Sequence, residues 1–145
     1  MKVVIQRVSK AKVSVDNEVL GQIDQGFCLL VGFADEDTDE TIEYMARKIA
    51  NMRIFSNSDD KMNLSIKDVH GKILSISQFT LYADTKHGNR PSFTGAGNFA
   101  ESKQKYQQFN QELVKHDLEV ATGEFGADMQ IDLTNDGPVT IIMER

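Results

Sequence analysis

Eight consecutive residues, Gly26-Phe27-Cys28-Leu29-Leu30-Val31-Gly32-Phe33, contain no charged side chain. An apolar run of this length that begins at a glycine predicts a strand buried on both faces. Cys28 is the only cysteine in the chain, so no disulfide can form within it. We interpret Cys28 as a packed, inert thiol, because a reactive cysteine needs a polar, electropositive setting.

The remainder of the chain alternates between strand and helix patterns. Val3, Ile5, Val13 and Val15 alternate with polar residues, which predicts half-buried strands, and Asp16-Asn17 predicts a turn. Further strands are predicted at residues 53–55, 72–81, 118–121, 128–133 and 139–143. One helix is predicted to start at residues 37–40, with Ile42, Met45, Ala46 and Ile49 on its apolar face. A second is predicted to start at Asn98-x-x-Glu101, with Tyr106, Phe109 and Leu113 on its apolar face.

Composition sets the class of protein. A chain of 145 residues with 40% hydrophobic and 26% charged residues is expected to form a single globular domain, residues 1–145. Two helices among many strands predict an α/β sandwich with helices on one face of a sheet. No stretch is long and apolar enough to span a membrane, and Lys2 and Arg7 interrupt the first apolar run too early for a signal peptide. We therefore expect a cytoplasmic protein.

Most familiar chemical signatures are absent from the sequence. His70, His87 and His116 lack metal-ligand spacing, and there is no glycine-rich phosphate loop and no Gly-x-Ser-x-Gly motif. We therefore expect neither a metal nor a cofactor. The formal net charge of −6 argues against non-specific binding of nucleic acid, although a local basic patch is compatible with it.

One polar segment follows an apolar strand pattern, at Ser77-Gln78-Phe79-Thr80-Leu81. It brings two hydroxyl groups and an amide together at a predicted strand end. Serine and threonine also commonly satisfy local backbone groups at such positions, so the segment alone is compatible with a purely structural role.

A second unusual segment lies close to the end of the chain, at Asn135-Asp136-Gly137-Pro138-Val139-Thr140. Proline has a fixed φ and no N–H, so it belongs at an edge or at the first residue of a strand. The glycine before it permits backbone conformations that other residues avoid, and only X-Pro bonds have ready access to cis. An ordinary hairpin entry is the alternative interpretation.

Together, these two segments resemble the paired motifs of the D-aminoacyl-tRNA deacylases. The resemblance extends to Val4-Ile5-Gln6-Arg7-Val8, Gly88-Asn89-Arg90-Pro91-Ser92-Phe93 and Phe125-Gly126-Ala127-Asp128-Met129. It implies a homodimer with a three-layer β/β/α fold of mostly antiparallel and mixed strands and two main helices. It also implies hydrolysis of the ester that joins a D-amino acid to the terminal adenosine of tRNA.

The resemblance implies roles for individual residues. The catalytic motif would be Ser77, Gln78, Phe79 and Thr80, with the N–H groups of residues 78 and 79 near the scissile carbonyl. Gly137 and Pro138 would form a cis peptide that reaches the partner subunit's pocket and excludes L-amino acids. D-amino acids and glycine would pass, which makes glycyl-tRNA a second substrate.

Four further assignments concern residues around these motifs. By resemblance, Arg7 holds the Gly-Pro segment in place and Met129 lines the pocket, although a core role for Met129 also fits its residue type. Thr80 has no base nearby in sequence, so we expect it to have a positioning role. The resemblance implies that the substrate's own ribose hydroxyl activates the attacking water. Lys86, His87 and Arg90, with Lys10 and Lys12, are the candidate contacts for tRNA phosphates.

Two other classes of function fit the same residues. A dimeric module that binds an aminoacyl group or a nucleotide without turnover would show no D-selective ester release. A small esterase with Thr80 or Ser77 as nucleophile would cleave simple activated esters and form a covalent intermediate.

Overall fold

A computed structural model describes all residues from Met1 to Arg145. Eight strands and two helices follow one another along the chain. The strands are β1 (Lys2–Val15), β2 (Glu18–Ile23), β3 (Gly26–Gly32), β4 (Arg53–Ser56), β5 (Met62–Ser65), β6 (Lys72–Ser77), β7 (Val120–Thr122) and β8 (Gln130–Glu144); the helices are α1 (Asp39–Ala50) and α2 (Phe99–Lys115). Neither helix is long and apolar enough to cross a membrane.

Six of the strands form one mixed sheet in the order β2-β1-β3-β6-β7, and β8 pairs with the other edge of β1. β1 is antiparallel to β2, β3 and β8, whereas β3–β6 and β6–β7 are parallel. β4 and β5 form a separate antiparallel hairpin. The predicted α/β fold with mixed strands and two main helices is confirmed.

The predicted burial of β3 on both faces is also confirmed. Phe27, Leu29 and Val31 point into a core shared with α1 and α2. Cys28 points to the opposite face, into a second core with Leu74 and other aliphatic side chains. The two cores lie on opposite faces of the central strands. The helices pack over the first core, and strands of the same sheet enclose the second core, which gives the predicted β/β/α layers.

Both predicted helices are present, and a side chain caps each N-terminus. Thr38 accepts a hydrogen bond from the Thr41 N–H, and Asn98 accepts one from the Ala100 N–H at 2.9 Å. Each helix buries the apolar stripe that its spacing predicts, including Ile42, Met45, Ala46 and Ile49 in α1 and Tyr106, Phe109 and Leu113 in α2.

Two predicted strand boundaries are wrong. The strand predicted at 72–81 ends at Ser77, and residues Phe79–Tyr82 form a 3-10 turn. The predicted strands 128–133 and 139–143 are one strand, β8, because pairing with the long β1 continues on both sides of Pro138. β5 was not predicted, because its alternation of apolar and polar residues extends over only four residues.

Burial makes the Cys28 thiol a weaker acid than an exposed thiol. Its side chain is fully buried, and burial raises its pKa from 9.0 to about 11. A shift of two units lowers the thiolate fraction at pH 8 by about 100-fold, so we predict that native protein reacts about 100-fold more slowly with a thiol reagent than unfolded protein does. Because the folded pKa is the higher one, this thiol contributes stability in full below pH 9.0, and that contribution is lost toward pH 11.

The measurement is the rate of thiol labelling at pH 8, in buffer and in guanidinium chloride. Unfolded protein provides the internal control, since its single thiol should react with one equivalent of the reagent per chain. Rapid labelling of the folded protein would contradict the assignment of Cys28 as an inert core thiol.

Candidate active site

A cavity of ≈ 540 Å³ opens where β3 and β6 end. Its walls come from these strand ends, the segment before α2, the first turns of α2 and residues 125–131. Five of the eight phenylalanines line it: Phe33, Phe79, Phe93, Phe99 and Phe125. A mostly apolar cleft with a few polar groups is the usual form of a small-molecule site.

The predicted catalytic motif lies at one end of this cavity. Ser77 is the last residue of β6, and the Gln78 N–H donates to the Val31 carbonyl at 2.7 Å. This N–H is therefore occupied, in contrast to its expected place beside a substrate carbonyl. Phe79 and Thr80 begin the 3-10 turn, so their N–H groups have no acceptor within that turn.

The Thr80 hydroxyl is held by its neighbour. The Gln78 side-chain amide donates to Thr80 Oγ1 at 2.5 Å, and no histidine or carboxylate is hydrogen-bonded to this hydroxyl. Asp128 is the only ionisable side chain in the cavity lining. An unassisted threonine hydroxyl is a poor nucleophile, so this geometry suits positioning better than attack.

Two aromatic pairs flank the cavity. Phe79 and Phe93 meet edge to face with ring centroids 5.2 Å apart, and Phe99 and Phe125 do the same at 5.2 Å. Gly126 has φ +82°, and a Cβ there would lie 2.8 Å from the Phe99 ring, which explains the glycine. We did not predict from the sequence that Phe93 and Phe99 line the cavity, because the only signal at each position was an apolar ring among polar residues.

Met129 satisfies both interpretations made from the sequence. It is half-buried, it lines the cavity and it packs against the second core. No group of three or more His, Cys, Asp and Glu side chains is arranged to hold a metal ion.

The Gly137-Pro138 segment protrudes from the β1–β8 ladder. Gln6 pairs with Thr140 and Val8 with Asn135, so Arg7 alone faces residues 136–139. We call residues 136–139 the Gly-Pro bulge. Its Gly137-Pro138 peptide is cis, and Gly137 has φ +123°.

Arg7 anchors the bulge from below, as the resemblance implies. Its Nε donates to the Asp136 carbonyl at 3.0 Å and lies 3.2 Å from the Asp136 carboxylate, while Nη1 donates to the Ile54 carbonyl at 2.6 Å. Only 8% of Arg7 is exposed. The φ of +123° strains any residue with a Cβ, and a Cβ on Gly137 would also lie 2.9 Å from Arg7 Nη2, so glycine fits this position best.

The bulge and the catalytic motif do not meet within one chain. Gly137 and Pro138 are exposed and contribute nothing to the cavity that Ser77, Gln78 and Phe79 line. The two segments singled out from the sequence therefore lie at separate places on the molecule.

The candidate tRNA contacts are also divided between two places. Lys86, His87 and Arg90 are exposed in the irregular segment that also supplies Phe93 to the cavity. Lys10 and Lys12 line a different, shallow depression, where Lys12 lies 3.4 Å from the Asp132 carboxylate. The first group is the one close to the cavity walls.

Comparison with known proteins identifies a family that covers almost the whole chain. A family model described as D-Tyr-tRNA(Tyr) deacylase matches residues 4–144.

Two solved structures share the fold. One, described as c-Myc DNA Unwinding Element Binding Protein, is 40% identical with a TM-score of 0.93, and the match covers 100% of this chain and 99% of that chain. The other, described as "a probable eukaryotic D-amino acid tRNA deacylase", is 16% identical with a TM-score of 0.84 and covers 98% and 97% of the two chains. At that identity the second structure supports the fold alone.

Proposed function

This chain belongs to the D-Tyr-tRNA(Tyr) deacylase family, whose members are hydrolases that act on aminoacyl-tRNA, and from that membership we propose a specific reaction. The protein hydrolyses the ester of D-aminoacyl-tRNA, releasing tRNA and the D-amino acid, and spares L-aminoacyl-tRNA. The observation that carries this proposal is the cavity at the Ser77–Thr80 motif, where backbone donors meet apolar walls.

Ester hydrolysis at this site depends on the backbone of the 3-10 turn. When water attacks the ester carbonyl, negative charge develops on its oxygen, and fixed N–H donors stabilise that charge. The Phe79 N–H supplies such a donor at the cavity wall, and the free N–H of Thr80 follows it in the turn, although Thr80 does not line the cavity. The Thr80 hydroxyl, held by Gln78, positions the attacking water, which the neighbouring ribose hydroxyl of the substrate activates.

We assign chiral selection to the Gly-Pro bulge of a second subunit. A side chain can rotate away from a badly fitting substrate, but a backbone segment anchored by the buried Arg7 cannot. Such an obstacle rejects one enantiomer by collision. Glycine has no side chain to collide, so glycyl-tRNA is a second substrate in this proposal.

The exposed strand β8 supports a homodimer. β8 pairs only with β1, which leaves a long free edge of a kind that proteins usually cover. Ile142 on this strand is 69% exposed, and Val139, Ile141 and Met143 are only partly buried although they pack against the core. A second copy over β8 would cover these side chains and bring one bulge toward the other chain's cavity.

The proposal includes a cytoplasmic location, where tRNA is charged, and RNA as the only nucleic-acid partner. The 40% identical protein carries a DNA-binding description. For this chain, a net charge of −6 disfavours binding along a DNA duplex, whose affinity depends on neutralised phosphates.

The direct test compares D-Tyr-tRNA with L-Tyr-tRNA. We predict rapid hydrolysis of the D-ester and of glycyl-tRNA, with the L-ester released no faster than in buffer. Free tRNA is measured by acid gel electrophoresis over time.

Each alternative function predicts a different result. A binding module would retain D-Tyr-tRNA without releasing it. An esterase that uses Thr80 or Ser77 as nucleophile would cleave p-nitrophenyl acetate and trap an acyl group on that residue. Either outcome would replace the proposed function.

A single substitution can remove the backbone N–H donor of residue 79 while keeping the 3-10 turn. Phe79→Pro removes the N–H at the first position of the turn, where proline is tolerated. We predict a fall in kcat of about 100- to 1,000-fold, the usual cost of one oxyanion donor, measured on a D-tyrosyl-adenosine ester.

Phe79→Ala is the matched control, because it removes the ring and keeps the N–H. Its kcat on the same small substrate should stay within about 10-fold of wild type, since the donor is intact. Equal losses in the two variants would show that the ring, and not the backbone N–H, supports turnover.

A further inference from the structure

Phe79 and Phe93 form an aromatic pair that packing does not explain. Their centroids are 5.2 Å apart in an edge-to-face arrangement, yet 59% of Phe79 and 37% of Phe93 are exposed. An edge-to-face contact occupies at most one face of one ring. Aromatic surface of both rings therefore remains open to a planar ligand.

The charge around this pair is positive, in contrast to the rest of the chain. Residues 85–98 contain Lys86, Arg90 and His87 and no acidic residue, although the whole chain has a net charge of −6. The preceding Asp84, whose carboxylate accepts from the Lys86 N–H at 2.9 Å, keeps its negative charge, so one Lys and one Arg against one Asp leave residues 84–98 with a formal net charge of +1. Asp128 is the only carboxylate among the cavity-lining residues.

The second aromatic pair at the cavity has the opposite electrostatic setting. Phe99 is followed by Glu101, and Phe125 lies between Glu124 and Asp128. A negatively charged chain leaving the cavity is therefore favoured on the side of Phe79 and Phe93. Exposed aromatic rings beside cations are the usual means of binding single-stranded nucleic acid.

We propose that the Phe79–Phe93 pair is a stacking platform for the single-stranded nucleotides that precede the terminal adenosine of tRNA, with Lys86 and Arg90 at their phosphates. This inference rests on the proposed function, because it takes the cavity as the place of the terminal adenosine. Both rings line that cavity, so the preceding bases pass over them as the RNA leaves.

The platform is tested by binding of a short labelled RNA that ends in CCA, followed by fluorescence anisotropy. Phe93→Ala should raise Kd by about 5- to 100-fold, the range measured for loss of one stacked base. The variant should not change Kd for a control RNA in which the two cytidines are abasic. Lys86→Ala should instead reduce the dependence of Kd on salt.

Phe93→Trp serves as rescue and as reporter. The chain contains no tryptophan, so this variant carries a single indole, which should restore affinity and be quenched when a base stacks on it. Equal affinity of wild type and Phe93→Ala for the CCA-ending RNA, or unchanged tryptophan fluorescence, would overturn the platform. Tighter binding of a matched DNA would also contradict it.

Kinetics separate this inference from the proposed function. Phe93→Ala should raise KM for D-Tyr-tRNA about 5- to 100-fold. Because Phe93 also lines the cavity, kcat/KM for a D-tyrosyl-adenosine ester should fall as well, but by a smaller factor, since that substrate has no preceding nucleotides. If wild type hydrolyses neither substrate, the proposed function fails while the RNA-binding comparison still decides the platform. If kcat/KM falls equally for both substrates, Phe93 only shapes the cavity, and the proposed platform is wrong.

Discussion

The interrupted pairing of β1 with β8 is the constraint on which the rest of the structure depends. On one side of the interruption, Val3 and Ile5 of β1 point into the core beneath the helices; on the other, Val13 points into the second core. The second register shift, between Val8 and Lys10, leaves Ser9 as an extra residue on β1 and changes the face on which the odd-numbered residues lie. One pair of long strands thereby covers two cores.

The first register shift, between Gln6 and Val8, shapes the Gly-Pro bulge. Because Arg7 faces residues 136–139 alone, that backbone protrudes, and the guanidinium satisfies the Asp136 and Ile54 carbonyls. The Ser77–Thr80 motif lies elsewhere, at the end of β6. A site that needs both segments is therefore incomplete in a single chain, and a second copy is the simplest source of the missing part.

Much of this architecture was predictable because local patterns determine it. The doubly buried β3 and the two capped, amphipathic helices follow from composition and spacing. The end of β6 was not predictable, because the last hydrogen bond of its pairing with β3, from the Gln78 N–H to the Val31 carbonyl, joins segments that are distant in the sequence. The positions of Phe93 and Phe99 in the cavity lining were not predicted for the same reason. Nothing in the local sequence distinguishes an aromatic ring that lines a cavity from one that is merely exposed.

The most direct test of this account is a heterodimer of two defective chains. One chain carries Phe79→Pro, which removes the donor in its cavity, and the other carries Gly137→Ala, which places a Cβ against Arg7 at a positive φ. With different affinity tags, only the mixed dimer is purified and assayed on D-Tyr-tRNA and L-Tyr-tRNA. If the bulge acts across subunits, the one working cavity faces an intact bulge, so D-Tyr-tRNA is hydrolysed at about half the wild-type rate and L-Tyr-tRNA is spared. If bulge and cavity act within one chain, the working cavity has the altered bulge, and L-Tyr-tRNA is hydrolysed at about half the rate of the Gly137→Ala parent.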